Sequence, residues 1–580
     1  MLKRLAKCIR EFKLPTILTL IFIIGEAIIE TSIPFITANL VNKIKSGTEL
    51  SEIIKLGIIL VCMAFLSLGF GGFAGATCAK ASSGFARNLR HDIFEKIQSY
   101  SFENIDKFST SSLVTRLTTD VSNVQMAFMM LIRTAIRSPL MLIFSVVMAY
   151  IMGGALATSF VVIIPVLGLG LFGVGKKAMP AFRRVFKKYD ILNESIEENV
   201  RAMRAVKGFS REEYEKKKFA GAADNIRMDF TKAERIVALN TPIMNFCMYF
   251  NTLFVLFIGA KLVISGGGTT IDIGQISAML TYGMQILMSL MMLSMIYVML
   301  TMSTESAKRI CEVLNEEPAL INPENPNYFV SDGSVVMQNV SFKYSKKAKQ
   351  FALSNINLEI KSGQTVGIIG GTGSSKTSLV QLLPRLYDAT EGTVLVGGKD
   401  VKSYDLETLR SAVGMVLQKN LLFSGTINEN LRWGAADATD EEIKEACRLA
   451  CADEFIENFP DKYDTHIEQG GTNVSGGQKQ RLCIARALLK KPKILVFDDS
   501  TSAVDTKTDA KIRNALKTYI PETTKIIIAQ RIASVMDADL ILVMDGGKIA
   551  ASGSHDVLMQ TCEIYREVYM QQTHGGEENA

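Results

Sequence analysis

The sequence predicts a membrane protein of two domains, in which a six-helix transmembrane domain with long cytoplasmic helical extensions precedes a soluble α/β domain. Three observations lead to this fold class. Six apolar runs, each about as long as a bilayer is thick, lie in the first half of the chain. Polar stretches of helical period separate several of them, and the second half alternates glycine-bounded apolar runs with helical patterns. A length of 580 residues agrees with more than one domain.

Composition excludes several classes of function. The net charge is only +6, and the basic residues flank apolar runs instead of forming one patch, so no nucleic-acid partner is expected. The 9 cysteines lack paired spacing, which argues against a disulfide framework and a zinc site. The basic N-terminus leads into an apolar segment without a small-residue cleavage site, so this segment is expected to remain as a membrane span.

The apolar runs place six spans, and the basic residues orient them. The spans are expected at about 15–40, 56–78, 126–152, 155–174, 236–264 and 273–300. Lys and Arg are concentrated at the N-terminus, in 80–137 and in 176–235, whereas the turns at Gly153 and Gly266 have none. Basic segments stay in the cytoplasm, so both termini are expected there. The protein is expected in the cell (plasma) membrane of a bacterium, with the polar stretches as helical levers.

The second half contains a phosphate-binding loop, "GGTGSSKTS", that departs from its usual pattern at one position. It follows a strand-like run and precedes a helical one, which is the context that the pattern G-x-x-x-x-G-K-[ST] requires. Lys376 is expected to reach the β- and γ-phosphates of a nucleotide, and the Thr377 hydroxyl to bind Mg²⁺. The residues of the loop expected at the nucleotide are Gly370, Gly371, Thr372, Gly373, Ser374, Ser375, Lys376, Thr377 and Ser378.

Two further motifs support a nucleotide site. The apolar run "ILVF" ends in Asp498, a carboxylate at the position that holds Mg²⁺ in Walker B motifs. Upstream of it, "SGGQ" opens a long helical pattern, and the glycines there allow a phosphate to approach the helix N-terminus closely. The domain limits expected from these features are 1–310 for the transmembrane domain, 311–332 for a linker, 333–574 for the nucleotide-binding domain and 575–580 for a tail.

With these motifs in order, the chain resembles an ATP-binding cassette (ABC) exporter half-transporter over essentially its whole length. The resemblance implies ATP and Mg²⁺ as cofactors. It implies that Tyr344 stacks on adenine, that Gln418 links the Mg²⁺ site to the membrane domain, and that Gly470 and Gly471 lie in a segment that touches the levers. The metal ligands it implies are Thr377, Gln418 and Asp498; the signature residues that complete a partner's site are Ser475, Gly476, Gly477 and Gln478; the D-loop is Ser502–Asp505, with Asp505 as its site residue.

Three departures from the family pattern fall on one site. Ser375 replaces a glycine, Asp499 replaces the catalytic Glu after Walker B, and Gln530 replaces the switch His. A seryl Cβ crowds the cradle, an Asp is one methylene too short to place the attacking water equally well, and a glutamine does not titrate near neutral pH. Random drift in a tolerant site is one explanation. The other is a weakly hydrolytic site, as in the degenerate-site subunit of bacterial heterodimeric multidrug exporters.

The function expected from this resemblance is an ATP hydrolase-coupled exporter subunit. Its partner would be a second half-transporter subunit, in a heterodimer with a homodimer left open, and both would be embedded in membrane lipid. The resemblance implies a small lipophilic drug, a lipid or a peptide as substrate, although import by the same fold is also open. A regulatory subunit that senses ATP and gates a partner without pumping is the alternative from another class; the intact "SGGQ" argues against it.

Charged residues in the apolar runs are candidates for contacts with substrate. Glu26 and Glu30 are four residues apart in the first span and therefore on one helical face. They could bind a cationic substrate, pair with an arginine of this or the partner chain, or line a wet cavity. Arg133 and Arg137 are expected to snorkel at the cytoplasmic end of the third span, without chemistry.

Overall fold

The computed structural model describes residues 1–265, 271–345, 348–499 and 504–574. The chain forms two compact units. The first consists of Met1–Gln98 and Thr110–Glu316, and the second of Ser99–Ser109 and Glu317–Ala580. The short segment Ser99–Ser109 thus belongs to the second unit although both of its flanking segments belong to the first.

Helices account for nearly all of the first 316 residues. In chain order they are α1 (Leu2–Ala6), α2 (Lys13–Lys45), α3 (Leu50–Gln98), α4 (Phe102–Lys107), α5 (Thr110–Thr115), α6 (Val121–Ile132), α7 (Thr134–Gly153), α8 (Thr158–Arg201), α9 (Met203–Gly208), α10 (Glu212–Val237), α11 (Asn240–Ser265) and α12 (Ile273–Asn315). Of these, α4 lies in the second unit and the others in the first.

Six helical segments among the described residues are long and apolar enough to cross a membrane. Helix α3 has 49 residues and α8 has 44, which at 1.5 Å per residue gives lengths of about 74 and 66 Å. The hydrocarbon core of a bilayer is only about 30 Å thick. Helices of this length project well beyond it, so the predicted six-helix domain with long helical extensions is confirmed.

The structure adds detail to the sequence expectations at two places in this part of the chain. The third span, predicted at 126–152, lies within one membrane-spanning candidate, Thr110–Gly153, in which α6 ends at Ile132 and α7 begins at Thr134. Helix α12 continues to Asn315 and so extends into the segment predicted as a linker from residue 311. The predicted turn at Gly266 and the predicted tail lie outside the described residues.

The core of the first unit is densest where α7, α8, α11 and α12 meet. Met279, Tyr282 and Ile286 of α12 are fully buried there with Phe160 of α8. Gly153 at the end of α7 allows the close approach, since a Cβ atom at this position would overlap the Met279 sulfur. The burial of these apolar side chains fixes how the helices pack.

The second unit is built on two main sheets. Its strands are β1 (Val335–Phe342), β2 (Leu353–Ile360), β3 (Thr365–Gly370), β4 (Glu391–Val396), β5 (Lys399–Asp400), β6 (Val413–Val416), β7 (Gly425–Thr426), β8 (His466–Ile467), β9 (Ile494–Asp498), β10 (Thr524–Ile528), β11 (Leu540–Asp545) and β12 (Lys548–Gly553). One sheet has the order β2-β1-β4-β5 and is antiparallel. The other has the order β12-β11-β3-β10-β9-β6 and is parallel except at β12.

The other helices of the second unit alternate with its strands or follow them. They are α13 (Lys376–Gln381), α14 (Leu406–Ala412), α15 (Ile427–Arg432), α16 (Asp440–Leu449), α17 (Asp453–Ile456), α18 (Gly476–Leu489), α19 (Thr506–Tyr519), α20 (His555–Thr561) and α21 (Glu563–His574). Every residue of β9 and β10 is buried, as expected for parallel strands covered on both faces. The predicted α/β domain is thus confirmed.

Candidate nucleotide site

The parallel sheet brings four of the predicted motifs to one edge. The phosphate-binding loop follows β3, Asp498 ends β9, Gln530 comes shortly after β10, and Gln418 comes shortly after β6. These four strands are neighbours in the order β3-β10-β9-β6. Ligands of open α/β sheets bind at the carboxyl ends of parallel strands, so the strand order places the motifs where a nucleotide site is expected.

The phosphate-binding loop contains a serine in a backbone conformation that favours glycine. Ser375 has φ 67° and ψ 27° and is the N-cap of α13. For a residue with a Cβ atom, this left-handed conformation costs about 1–2 kcal/mol. The departure that the sequence indicated as crowding is therefore also a backbone strain, and it lies immediately before Lys376.

Within this loop, Lys376 is folded back onto the main chain. Its ammonium group donates hydrogen bonds of 2.8 Å to the carbonyls of Gly370 and Gly371, and one of 3.2 Å to the Ser374 hydroxyl. Burial lowers the pKa of the Lys376 amine, and the nearby carboxylates of Asp499 and Asp498 oppose this shift. Gly371, Thr372 and Gly373 remain exposed at the surface of the loop.

The two oxygen groups predicted to bind Mg²⁺ face each other. The Thr377 hydroxyl donates a hydrogen bond of 2.9 Å to Asp498 Oδ1. Asp498 is 2 % exposed. Burial raises the pKa of its carboxyl group, and the hydrogen bond from Thr377 opposes the shift. A buried carboxylate beside a hydroxyl is a favourable position for a hard cation, which prefers oxygen ligands.

Asp499, at the predicted catalytic position, and Gln530, at the predicted switch position, contact each other. The side-chain amide of Gln530 donates a hydrogen bond of 2.6 Å to Asp499 Oδ2. Asp499 has φ 47°, and its backbone N–H donates to the Ile528 carbonyl at 3.0 Å. The two departures from the family pattern are thus one hydrogen-bonded pair, held at the ends of adjacent strands.

A side chain from the last helix holds the segment around Gln530. Gln572 of α21 donates a hydrogen bond of 2.8 Å to the Gln530 carbonyl and accepts one of 2.8 Å from the Ile532 N–H. One amide group therefore bonds the backbone on both sides of Arg531. Gln572 was not among the residues predicted from the sequence, because no motif near it indicates that α21 reaches the switch segment.

Tyr344 presents its ring beside the start of α13. The residue is 44 % exposed, so a ring face is available to a base. Its hydroxyl shares a hydrogen bond of 2.7 Å with the Ser378 hydroxyl and donates one of 3.3 Å to Gln381. The ring packs edge-on against Tyr387, with centroids 5.2 Å apart and planes at 86°.

The predicted signature is the N-terminus of α18. Ser475 is the N-cap: its hydroxyl accepts from the Gln478 N–H at 3.3 Å, and its own N–H donates to Gln478 Oε1 at 2.9 Å. Ser475 and Gly476 are exposed. The acceptors of the capping box are the Ser475 and Gln478 side chains alone. The positive end of the helix dipole therefore stays open to solvent at the two glycines between them, where an anion can bind.

The remaining predicted residues lie outside the two main sheets and the long helices. Gln418 is exposed after β6. Gly470 and Gly471 both have positive φ, 73° and 68°. Asp505 caps α19 by accepting a hydrogen bond of 3.0 Å from the Thr508 N–H. The first part of the predicted D-loop, including Ser502, lies outside the described residues.

Comparisons with known proteins identify both halves of the chain. Residues 16–290 match the family model described as ABC transporter transmembrane region, and residues 353–502 match the model described as ABC transporter. The ABC transporter ATP-binding protein YfiB of Bacillus subtilis (strain 168) is 35 % identical over 567 residues, which cover 97 % of both chains. The chain belongs to the ABC transporter family.

Further matches agree with this ABC transporter assignment. The ABC transporter ATP-binding protein MT1311 of Mycobacterium tuberculosis (strain CDC 1551 / Oshkosh) is 35 % identical over 541 residues, 92 % of each chain. Among solved structures, a bacterial Atm1-family ABC exporter with ATP bound has a similar fold, with a TM-score of 0.83 and 24 % identity over 97 % of this chain and 98 % of that one. The transporter is thus a multi-pass membrane protein that carries one membrane domain and one ATP-binding domain.

Three charged residues of the membrane helices form ion pairs with one another. Arg137 of α7 lies 2.6 Å from Glu30 Oε2 and 3.5 Å from Glu26 Oε1, and both glutamates are on α2. The sequence predicted that Arg137 snorkels at the cytoplasmic end of the third span; the ion pairs show that its guanidinium has partners on α2. Because ion pairs are strong where water is scarce, Arg137 turns toward the two carboxylates instead. Of the possibilities for Glu26 and Glu30, pairing with an arginine of this chain is present in the structure.

Proposed function

We propose that this ABC transporter is a subunit of an ATP-driven exporter whose own Walker site binds ATP but hydrolyses it slowly. The observation that carries this proposal is the hydrogen bond between Gln530 and Asp499. In the family, these positions orient the attacking water and contact the γ-phosphate. Here the shorter carboxylate is already engaged by the switch amide, so Asp499 is poorly placed to activate water.

The residues of the Walker site suit ATP and Mg²⁺. Lys376 would exchange its bonds with the loop carbonyls for phosphate oxygens, and the open ring of Tyr344 would stack on adenine. Thr377 and Asp498 would hold Mg²⁺, with Gln418 as the third proposed ligand. When bound, Mg²⁺ neutralises charge on the phosphates. The substitution at Ser375 leaves these binding groups intact. This supports the proposal that the site binds ATP even though it does not hydrolyse ATP quickly.

We propose that the signature of α18 serves a second half-transporter subunit. Ser475, Gly476, Gly477 and Gln478 would contact the γ-phosphate of ATP held by the partner's Walker loop. A chain with a weak Walker site and an intact signature fits a heterodimer, because the partner then supplies the catalytic glutamate. Asp505, in the D-loop, would lie at the same interface. The two sites of such a dimer are unequal, and hydrolysis would occur mainly at the partner's site.

The proposed location is the cell membrane of a bacterium, with both termini in the cytoplasm. The proposed substrate is a small lipophilic molecule, a lipid or a peptide. Glu26 and Glu30 are proposed contacts for a cationic group of the substrate, because their two carboxylates lie together on one face of α2. Glu30→Gln should then reduce transport of cationic substrates more than that of neutral ones. Equal loss for both kinds would assign the glutamates to structure alone.

The proposed function is tested by purifying the chain with and without a similar subunit that carries Glu after Walker B and His at the switch. The chain alone should bind ATP and show almost no turnover, and the pair should hydrolyse ATP and transport substrate in vesicles. Full ATPase activity of the chain alone would contradict the weak site. Turnover by the pair without transport of any substrate would favour a regulatory subunit over an exporter.

A further inference from the structure

A small cavity in the ATP-binding unit lies at the amino ends of the parallel strands, whereas the nucleotide site lies at their carboxyl ends. Its volume is about 190 Å³. Helix α19, the starts of β3 and β10, and the segment before β11 contribute to its wall. Its charged lining residues are Arg513, Lys517, Lys525 and Asp537, and its uncharged ones include Asn514 and Ser534. This polar cavity is therefore separate from the Walker site.

Lys525 is a buried cation in the wall of this cavity. It is the second residue of β10, and Ile527, two positions further on, lines the same cavity, because alternate residues of a strand face one side of the sheet. Lys525 is 4 % exposed. Within the described residues, its ammonium group has neither a hydrogen bond nor an ion pair. Lysines are almost never fully buried unless they are paired, so a buried lysine without a partner in its own chain points to a ligand.

The carboxylate of Asp539 acts on Lys525 through its charge and not through a hydrogen bond. Burial lowers the pKa of the Lys525 amine, the Asp539 carboxylate opposes this shift, and the charge of Lys517 adds to it. Asp539 Oδ2 accepts a hydrogen bond of 2.7 Å from the Thr365 N–H, at the start of β3. Asp539 therefore reduces the cost of a charged Lys525, but it does not serve as an acceptor for the three N–H groups of the ammonium.

The other two cations of the cavity differ in their partners. Arg513 donates a hydrogen bond of 3.2 Å to Asp509 and lies 3.7 Å from Asp537, so its charge is balanced within the chain. Lys517 lies four positions further along α19, on the same helix face. It is exposed and has neither a hydrogen bond nor an ion pair within the part of the chain that the structure describes. The ammonium groups of Lys517 and Lys525 are thus two unpaired charges in the lining of one cavity.

We propose that this cavity binds a small phosphate dianion, either the free ion or the phosphate group of a small ester. Two negative charges match the two unpaired ammonium groups, whereas a single carboxylate would leave one of them without a counter-charge. The Asn514 amide and the Ser534 hydroxyl can donate to the remaining phosphate oxygens. The cavity is smaller than the roughly 300 Å³ at which sites for drug-sized ligands begin, so the ester must be small. The proposal holds whether hydrolysis at the Walker site is slow or fast.

A buried lysine could instead be a structural residue whose aliphatic stem packs in the wall, and the two roles give different results. A structural lysine should leave phosphate binding unchanged when it is replaced. A lysine that binds an anion destabilises the chain alone, because a buried charge without a partner is unfavourable. Lys525→Met, which keeps the length of the side chain and removes the charge, should then leave the Tm unchanged or raise it when chloride is the only anion.

The test is titration calorimetry on the purified full-length chain in detergent, with chloride as the only other small anion. A non-hydrolysable ATP analogue and Mg²⁺ saturate the Walker loop, so that added phosphate cannot bind there. The titrants are inorganic phosphate, glycerol 3-phosphate as a small ester, and acetate as a monocarboxylate. Lys525→Met and Lys517→Gln each remove one of the two charges. Lys511→Gln is the matched control, because Lys511 is on the same helix but pairs with Glu454.

We expect one phosphate to bind per chain. Lys525→Met should weaken the affinity about tenfold or more, the factor that a hydrogen bond to a charged group provides. Lys517→Gln should weaken it about two- to fivefold, because an exposed charge contributes less. Lys511→Gln should bind as the wild type does, and acetate should bind at least about tenfold more weakly than phosphate. Tighter binding of glycerol 3-phosphate than of phosphate would assign the site to an ester, and weaker binding would assign it to the free ion.

Three results would each overturn the proposal: no saturable binding of either phosphate compound, equal affinity in Lys525→Met and the wild type, or acetate binding as tightly as phosphate. If Lys525→Met does not fold, the exposed Lys517→Gln still decides, because an affinity equal to that of Lys511→Gln would contradict a contact with the dianion. The Tm gives an independent reading. Phosphate should raise the Tm of the wild type and of Lys511→Gln but not that of Lys525→Met, and an equal rise in all three would place the bound phosphate elsewhere.

Discussion

Replacing Ser375 by glycine should relieve strain in the phosphate-binding loop. The φ of 67° costs a serine about 1–2 kcal/mol, and a glycine adopts it freely. Against this gain, glycine adds conformational freedom to the unfolded chain, which costs about 0.4–1 kcal/mol. The difference between these two ranges is about 0–1.6 kcal/mol, and the middle of it, about 0.5–1 kcal/mol, is the net stabilisation expected for the ATP-binding domain. For a domain of this size, that corresponds to a rise in Tm of roughly 1–4 °C.

The same relief should improve nucleotide binding modestly. The strain should allow the loop to adopt the conformation that binds phosphate for only part of the time. Relief of about 0.5–1 kcal/mol of strain should therefore raise the affinity for nucleotide about two- to fivefold. Hydrolysis should stay slow, because the pair formed by Asp499 and Gln530 is unchanged. Thermal unfolding, nucleotide titration and turnover of Ser375→Gly measure these three quantities. A lower Tm would refute the strain, and fast hydrolysis from this single change would refute the assignment of the slow rate to Asp499 and Gln530.

Three further predictions concern other parts of the chain. Gly477→Glu should stop hydrolysis by the dimer, because the new carboxylate repels the γ-phosphate at the partner's site. A nucleotide analogue should still bind this chain. Normal ATPase activity would argue against a site shared between the two subunits. Gln572→Leu should increase hydrogen exchange at the Ile532 amide and speed nucleotide release up to about fivefold, as the loss of a hydrogen bond allows. The control Gln571→Leu should do neither. Equal exchange in both variants would show that the Gln572 side chain does not hold the backbone around Gln530. Arg137→Met should lower the free energy of unfolding by up to about 3 kcal/mol, because it leaves two carboxylates without their cation. The loss would be measured as a lower Tm in detergent. An unchanged Tm would show that the ion pair contributes nothing to stability.

Local patterns in the sequence were sufficient to predict the fold class and the motifs of the nucleotide site. The phosphate-binding loop, Asp498 and the signature are each short segments whose chemistry depends on adjacent residues. The apolar runs likewise depend only on the thickness of a bilayer. Such features can be predicted from a single chain because no distant residue has to be known.

The contacts whose partners the sequence did not identify join distant segments; for Glu26 and Glu30 an arginine partner was one possibility, but not which arginine. Tyr387 and Asp106, which are joined by a hydrogen bond, are 281 positions apart, Glu30 and Arg137 are 107 apart, and Gln572 and Gln530 are 42 apart. Which segments become neighbours in the fold decides each of these pairs, and periodicity does not contain that information. The conformation of Ser375 is an intermediate case: the missing glycine was visible in the sequence, but its backbone strain required the φ angle.

The measurement that tests the central claim most directly is the turnover of the dimer when one catalytic position at a time is disabled. Asp499→Asn removes the carboxylate of this chain's site, and the matched change removes the partner's catalytic glutamate. We expect Asp499→Asn to lower ATP turnover by less than about threefold and ATP to remain intact on this chain, whereas the partner's change should lower turnover by about two decades or more, the loss that misplacing the attacking water can cause. An equal loss from both changes, with ADP formed on this chain at the turnover rate, would contradict the claim that its Walker site holds ATP without being the main site of hydrolysis.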